Sequence, residues 1–326
     1  MGAILWLGLW VIRQIPGSYE EIATWDADLE QTADASREEG PVPGFYWSTG
    51  SLFLNSGGPF LQWNGTRNAF HQWACRYAAM DFGHSLVDGL PVKEKFRRAL
   101  PWSMALQLPA IVLLLLLSVW LALEAVMRSG SWTMAMADRA LTGLYAVPGF
   151  WLATLLLLIF ANPECIQVLP TGMQGAPSAN PYRLWWVAPK YFLLPLLCLV
   201  LPSLAYLQRL VRNGLLEHLE KPHWKRALST GLPLRKALLV EALPAALPPL
   251  VTWMAGVLPA LVSGSVIIEQ IFSIPGLGRL LYQSIAVRDW PMVQFLFFLG
   301  SAFTVLGFMV SDLLLRWMDP RLKQTV

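Results

Sequence analysis

Five long runs without a charged side chain constrain the fold of this sequence more than any other feature. They cover residues 101–123, 140–163, 191–208, 242–268 and 290–311. A helix needs about 20 apolar residues to cross a bilayer, so each run predicts a transmembrane helix. The composition agrees, because 14% of the residues are charged against roughly 25% in an ordinary soluble domain.

The first residues predict a sixth span. Residues 1–12 are uncharged and end at Arg13, so we expect a short or truncated first transmembrane helix over 1–14; an interfacial segment or a buried helix is the alternative. Residues 15–100 are predicted to form an extracytoplasmic segment, and residues 101–326 the core domain with the other five spans. The expected fold class is an all-α membrane protein with six transmembrane helices.

The distribution of charge predicts the orientation in the membrane. The charged residues within 18–90 are mostly acidic, whereas Lys and Arg concentrate in the segments that follow the second, fourth and sixth spans. Cytoplasmic loops carry the excess of Lys and Arg, so both termini and residues 213–241 are expected in the cytoplasm. Lys93, Lys95, Arg97 and Arg98 are the exception, and we interpret them as a juxtamembrane helix outside.

Enzymatic motifs are missing from the sequence. The three cysteines and four histidines lack metal-binding spacing, and there is no Gly-rich phosphate loop. We therefore expect no catalytic, cofactor or metal site, and no ATP hydrolysis, on this chain. A net charge of +3 does not suggest nucleic acid as a partner. If Cys75 and Cys165 both lie outside, a disulfide between them is an alternative to free thiols.

A basic segment, residues 225–244, separates the fourth and fifth spans and reads KRALSTGLPLRKALLVEALP. Gly231 permits a turn that other residues resist, and Pro233 suits the first turn of a new helix. Residues 234–242 contain no helix breaker. The pattern predicts a helix–turn–helix loop on the membrane surface that presents a shaped contact to a cytoplasmic partner; an ordinary basic loop is the alternative.

This spacing resembles the EAA loop of ABC-importer permeases. The glycine and the Leu-Pro pair are in register, whereas a Lys-Arg pair replaces Glu-Ala and a glutamate occupies the usual isoleucine position. The resemblance implies that the predicted coupling loop, 213–241, and the Leu-Pro pair after it contact an ATPase through these residues: Lys225, Arg226, Ala227, Gly231, Pro233, Glu241, Leu243 and Pro244.

A second motif is the most specific. The sequences FSIPGLGR at 272–279 and RDWP at 288–291 resemble the extracytoplasmic signature of the dipeptide, oligopeptide and nickel class of these permeases. Its candidate residues are Pro275, Gly276, Leu277, Gly278, Arg279, Arg288 and Asp289. Further similarities are IPG at 15–17, DFGHSL at 81–86, VPGFW at 147–151, LPTG at 169–172 and DPR at 319–321.

The resemblance implies a type I importer permease in the bacterial inner membrane. It implies a second homologous permease, two cytoplasmic ATPase subunits that bind ATP and Mg²⁺, and an extracytoplasmic binding protein that delivers peptides. Nickel chelates or oligosaccharides are alternative substrates. A secondary transporter is a less favoured class, because such proteins place ionisable residues at mid-membrane. A membrane-embedded hydrolase would need a catalytic set that the sequence does not show.

Overall fold

The computed structural model describes residues 47–49, 61–63, 66, 69–162, 164–165, 168–178, 180–221, 224, 233–263 and 265–318. The chain divides into two compact units, Gly2–Lys93 and Glu94–Val326, with Met1 grouped with the second. The predicted first span, 1–14, and the DPR sequence near the C-terminus lie outside the described residues.

The first unit contains two short strands and a helix. Strand β1 (Trp47–Thr49) pairs antiparallel with β2 (Leu61–Trp63), and Trp47 lies opposite Trp63. The described residues are otherwise mostly helical, as predicted, and the two short strands contain aromatic and β-branched residues, which favour strands. Helix α1 (Ala69–Ala78) follows. The DFGHSL segment then turns at Gly83, whose carbonyl accepts a hydrogen bond from the Val92 N–H.

Helix α2 (Val92–Met127) is longer than the predicted span over 101–123, because it includes the basic residues before the span and continues past its end. At 1.5 Å per residue, its 36 residues extend roughly 54 Å. Pro101 and Pro109 both lie inside this helix. Side chains such as Leu116 and Trp120 are more than half exposed, as expected where lipid covers a helix.

The predicted span over 140–163 is not a single straight helix. Helix α3 (Trp132–Ala146) and helix α4 (Gly149–Phe160) meet at an angle of 107°. Pro148 caps α4, and a proline disfavours helical backbone at the residue before it, here Val147 with ψ 123°. The bend follows from this proline, which the sequence had placed inside the span.

Helix α5 (Pro181–Val187) precedes helix α6 (Lys190–Leu219), which is the most buried long helix among the described residues. Its apolar side chains form the centre of the core unit. Leu207, Val211 and Leu215 pack with residues from α2 and from the segment after residue 233. Pro195 and Pro202 lie inside α6.

The predicted span over 242–268 is also broken. The longer segment that contains this run, Leu234–Ile271, consists of helices α7 (Leu234–Ala237), α8 (Leu243–Ala246), α9 (Pro248–Met254), α10 (Val257–Ser263) and α11 (Val266–Ile271), with a π-helical turn over Leu238–Ala242. The axis bends by 51° between Leu234–Ala246 and Pro248–Leu261. Prolines remove backbone hydrogen bonds and so break the run into short helices.

Helices α12 (Leu277–Ala286) and α13 (Trp290–Met318) complete the described chain. Gly307 of α13 lies directly against the Ala255 carbonyl oxygen, where a Cβ atom would overlap it. A glycine at this position therefore lets α13 approach the break between α9 and α10.

The described residues contain three helices that are long and apolar enough to cross a membrane: α2, α6 and α13. The number rises to five if each bent pair is one span. A total of six spans stays a prediction, because the first lies outside the described residues. Cys75, Cys165 and Cys198 are free thiols. Cys75 lies in the first unit and Cys165 in the second, so a disulfide between them stays an untested alternative.

Candidate functional site

Of the basic segment 225–244, here called the coupling segment, the structure describes residues 233–244. Lys225, Arg226, Ala227 and Gly231 lie outside the described residues. Pro233 has extended backbone, with φ −62° and ψ 140°, and caps α7. From Leu234 the chain is helical without interruption as far as Ala246. The predicted single helix over 234–242 thus begins at the expected residue and continues beyond its expected end.

The π-helical turn within this segment was not predicted. The Leu243 N–H donates to the Leu238 carbonyl, five residues earlier, rather than to a carbonyl four residues away. Pro244 has no N–H, and in an α-helix its ring would clash with the carbonyl of Val240. The wider turn accommodates this proline, so the Leu-Pro pair at 243–244 has a direct structural consequence.

The segment from Pro233 to Ala246 has one buried and one exposed side. Ala237, Leu238 and Ala242 are fully buried against the α6 core cluster. The exposed side carries Arg235, Lys236 and Glu241 together with the partly apolar surface of Leu239 and Val240. Because one side is anchored in the core, a force on the exposed side would be transmitted to α6.

Close packing at Gly214 strengthens this anchor. A Cβ atom built on Gly214 of α6 would lie 3.1 Å from the Ala246 Cβ and 3.2 Å from its carbonyl oxygen. The two helices therefore touch through small residues at the end of the coupling segment. A movement of α8 must displace α6 as well, since protein interiors are closely packed.

The motif predicted to be extracytoplasmic is organised around Glu269, which is fully buried at 0% exposure. The Ser103 hydroxyl donates to Glu269 Oε1 at 2.9 Å and accepts from the Leu277 N–H at 2.7 Å. The Arg279 N–H donates to the other carboxylate oxygen, Oε2, at 3.1 Å. This carboxylate therefore ties together α2, α11 and the start of α12.

Burial raises the pKa of the Glu269 carboxyl, while hydrogen bonds from the Arg279 N–H and the Ser103 hydroxyl oppose the shift. Glu269 lies outside the candidate membrane spans, because the bent pair of helical segments that precedes it, Leu234–Ala246 and Pro248–Leu261, ends at Leu261. A raised pKa means that the folded protein favours the neutral carboxylic acid more than the unfolded chain does.

The glycines of the motif leave room for this carboxyl group. A Cβ atom on Gly276 would overlap Glu269 Oε2 and would lie 2.5 Å from Ser103 Oγ. A Cβ atom on Gly278 would lie 2.7 Å from the Val266 N atom. Gly276 and Gly278 of the PGLGR sequence are therefore required, because neighbouring atoms lie too close to leave room for a side chain. Gly276 then serves as the N-cap of α12, and Leu277 is fully buried.

Asp289 joins the same region to the start of α2. It is 1% exposed, and Lys95 Nζ lies 3.5 Å from its Oδ2. The neighbouring Arg288 is exposed and has a φ of 60°, a left-handed conformation that is uncommon for residues other than glycine. Of the predicted motif residues, Asp289 is thus structural, whereas Arg288 presents its side chain to the surroundings.

The LPTG sequence at 169–172 contacts the FSIPGLGR sequence at 272–279. In the LPTG sequence, a Cβ atom on Gly172 would lie 2.7 Å from the Phe272 carbonyl oxygen, which accepts a hydrogen bond from the Met173 N–H at 3.0 Å. The sequence showed both motifs but gave no reason to join them. Glu269 follows directly after the uncharged run 242–268, and nothing in the sequence distinguishes Ser103 from other serines.

A cleft of about 350 Å³ lies in the core unit between α2, α6 and the α9–α10 segment. Its lining is largely apolar, with Gln107, Ser203 and Ser265 as the polar residues. Among the described residues, no group of three or more His, Cys, Asp or Glu side chains could hold a metal ion.

Long apolar helices and a cleft between them are typical of a membrane transport protein. Residues 101–324 match the family model described as "Binding-protein-dependent transport system inner membrane component". The chain therefore belongs to this family. The predicted resemblance to the dipeptide, oligopeptide and nickel class of ABC-importer permeases is confirmed, and so is the helical type I membrane fold outside the short strands.

Curated relatives agree with this assignment. A protein of Brucella suis named a putative peptide transport system permease protein is 33% identical over 257 residues, which cover 77% of this chain and 78% of the relative. The oligopeptide transport system permease protein AppB of Bacillus subtilis is 29% identical over 258 residues, covering 77% and 79%. The probable D,D-dipeptide transport system permease protein DdpB of Escherichia coli is 32% identical over 260 residues, covering 74% and 76%.

Proposed function

We propose that this permease forms half of the translocation pathway for peptides delivered by an extracytoplasmic binding protein. The observation that carries the proposal is the similarity over three quarters of the chain to permeases named for peptide, oligopeptide and D,D-dipeptide transport. A second homologous permease supplies the other half of the pathway, and the membrane lipid surrounds both.

The energy comes from two ATPase subunits in the cytoplasm, which hold the ATP and Mg²⁺. This chain contributes the contact surface and has no catalytic role. The exposed side of residues 233–246, with Arg235, Lys236, Leu239 and Val240, supports this proposal because it combines charge with apolar area. Its buried side supports coupling, since closure of the ATPases would press on a segment that packs against α6.

The protein resides in the bacterial inner membrane with both termini in the cytoplasm. The placement of Lys and Arg supports this orientation. Single cysteines introduced at Ser36 and Ser229 test it with a membrane-impermeant thiol reagent. We expect Ser36→Cys to react only from outside and Ser229→Cys only from inside; the reverse labelling would overturn the topology.

Uptake into reconstituted vesicles tests the substrate. Vesicles would contain this permease, its partner permease, both ATPases and the cognate binding protein, with ATP inside. We expect radiolabelled trileucine to accumulate only when ATP and the binding protein are both present. Accumulation of a nickel–histidine chelate or a maltooligosaccharide without any peptide uptake would contradict the proposal.

A further inference from the structure

The cleft of about 350 Å³ has a volume suited to part of a small ligand, because small-molecule sites measure roughly 300–1,000 Å³. It is lined by α2, α6 and the segment from α9 to Ser265. Gln107 comes from α2, Ser203 from α6 and Trp253 from α9, and Ser265 lies just before α11. The helices that carry these residues include those joined to the coupling segment and to the extracytoplasmic motif.

Two polar atoms of the lining are buried without a hydrogen-bond partner. They are Nε2 of Gln107, whose side chain belongs to a residue only 6% exposed, and Oγ of Ser265. A buried polar group without a partner costs about 1–3 kcal/mol, so native proteins rarely keep one without a reason. Both atoms belong to residues that line the same cleft, so a ligand with hydrogen-bonding groups would supply the missing partners once these side chains turn toward it.

The rest of the lining restricts the chemistry of that ligand. The described residues that line the cleft include no Asp, Glu, Lys, Arg or His, and its larger side chains are apolar, among them Leu114, Leu199 and Trp253. A charged group placed here would lose its hydration without a counter-ion, which is strongly unfavourable. The cleft therefore suits a neutral, hydrogen-bonding portion of a molecule that also carries apolar groups.

We infer that Gln107 and Ser265 hold the main-chain amide groups of a peptide in transit, while the apolar lining accepts its uncharged side chains. This inference rests on the proposed peptide transport and adds the residues and chemical groups that carry it. A peptide bond offers one donor and one acceptor whatever the side chains are. Contact through the amides would let one cleft accept many different peptides.

The test compares isosteric changes at two glutamines. Gln107→Leu removes the amide from the cleft, and Gln208→Leu is the matched control. Gln208 is also a buried glutamine, 3% exposed, with an unpartnered Oε1, but it does not line the cleft. Ser265→Ala is a second cleft variant and removes a single oxygen atom. Each is reconstituted in the vesicles described above.

We expect Gln107→Leu and Ser265→Ala each to lower peptide uptake per ATP hydrolysed by about threefold to tenfold, the effect of losing one hydrogen bond. The reduction should be the same for trialanine and trileucine, because the amide groups of the two peptides are identical. Gln208→Leu should transport like the parent protein. ATP hydrolysis stimulated by the loaded binding protein should be unchanged in all three variants.

Normal uptake by both cleft variants would overturn the inference and leave peptide transport intact. An equal loss in Gln208→Leu would also overturn it, since the effect would then come from burial alone. If Gln107→Leu does not insert, as judged by gel filtration, Ser265→Ala decides. Absence of peptide uptake by the parent protein is a different result, which would refute the proposed substrate and the inference with it.

Discussion

Replacing Glu269 with alanine is expected to lower the free energy of unfolding by about 2–5 kcal/mol. The change would leave the Ser103 hydroxyl and the Arg279 N–H without their buried acceptor, and each such loss costs about 1–3 kcal/mol. It would also release α11 from α2 and from the start of α12, because the carboxylate of Glu269 accepts hydrogen bonds from both Ser103 and Arg279. Thermal unfolding in detergent, followed by tryptophan fluorescence, measures the effect.

Glu269→Gln is the matched control, because it keeps an acceptor oxygen and nearly the same volume. Burial raises the pKa of the carboxyl in the folded protein. The stabilising contribution of the neutral acid is therefore complete below the ordinary carboxyl pKa and is lost as the pH rises through the raised value. The glutamine variant should be less destabilised than alanine and should lack this dependence on pH.

Equal unfolding midpoints for Glu269→Ala and the parent protein would show that the buried carboxylate does not hold the motif together. Equal losses in the alanine and glutamine variants would show that the acceptor oxygen is not what holds the motif together. The predicted order of stability is parent, glutamine, alanine, and only that order supports the arrangement around Glu269 described above.

The sequence predicts the apolar segments better than their shape. The runs at 140–163 and 242–268 were correctly recognised as apolar, but Pro148 and Pro248 bend the helices within them. Counting uncharged residues cannot reveal such bends, since the count ignores where a proline removes a hydrogen bond. The end of α2 at Met127 could not be read from the charge pattern either, because Glu124 continues the helix.

The motifs were visible in the sequence, whereas the contacts that explain them were not. The spacing of PGLGR identifies a family signature, but the requirement for Gly276 depends on a carboxylate and a hydroxyl brought from distant parts of the chain. Ser103 lies 166 residues from Glu269. A local pattern cannot predict a pair at that separation. The same limit applies to the cleft, where Gln107 and Ser265 meet only in the folded chain.

The coupling segment was predicted in part from the sequence and described in part by the structure. The sequence predicted a turn at Gly231 and a new helix near Pro233, and the structure places the start of α7 directly after Pro233. The extended backbone at Pro233 is compatible with a change of direction just before α7. The roles assigned to residues 225–231 remain predictions, since these residues lie outside the described part of the chain.

Gly231→Pro is expected to abolish ATP-driven uptake while the protein still inserts in the membrane. Proline fixes φ near −65° and excludes the left-handed turn that glycine permits, so α7 and its exposed side would be aimed away from the ATPase. The apolar spans should insert regardless of this loop. Gly231→Ala is the graded control, since it disfavours the turn by about 1 kcal/mol without excluding it. Uptake and substrate-stimulated ATP hydrolysis in reconstituted vesicles measure both variants; near-normal values for the proline variant would show that residues 225–244 are a passive linker.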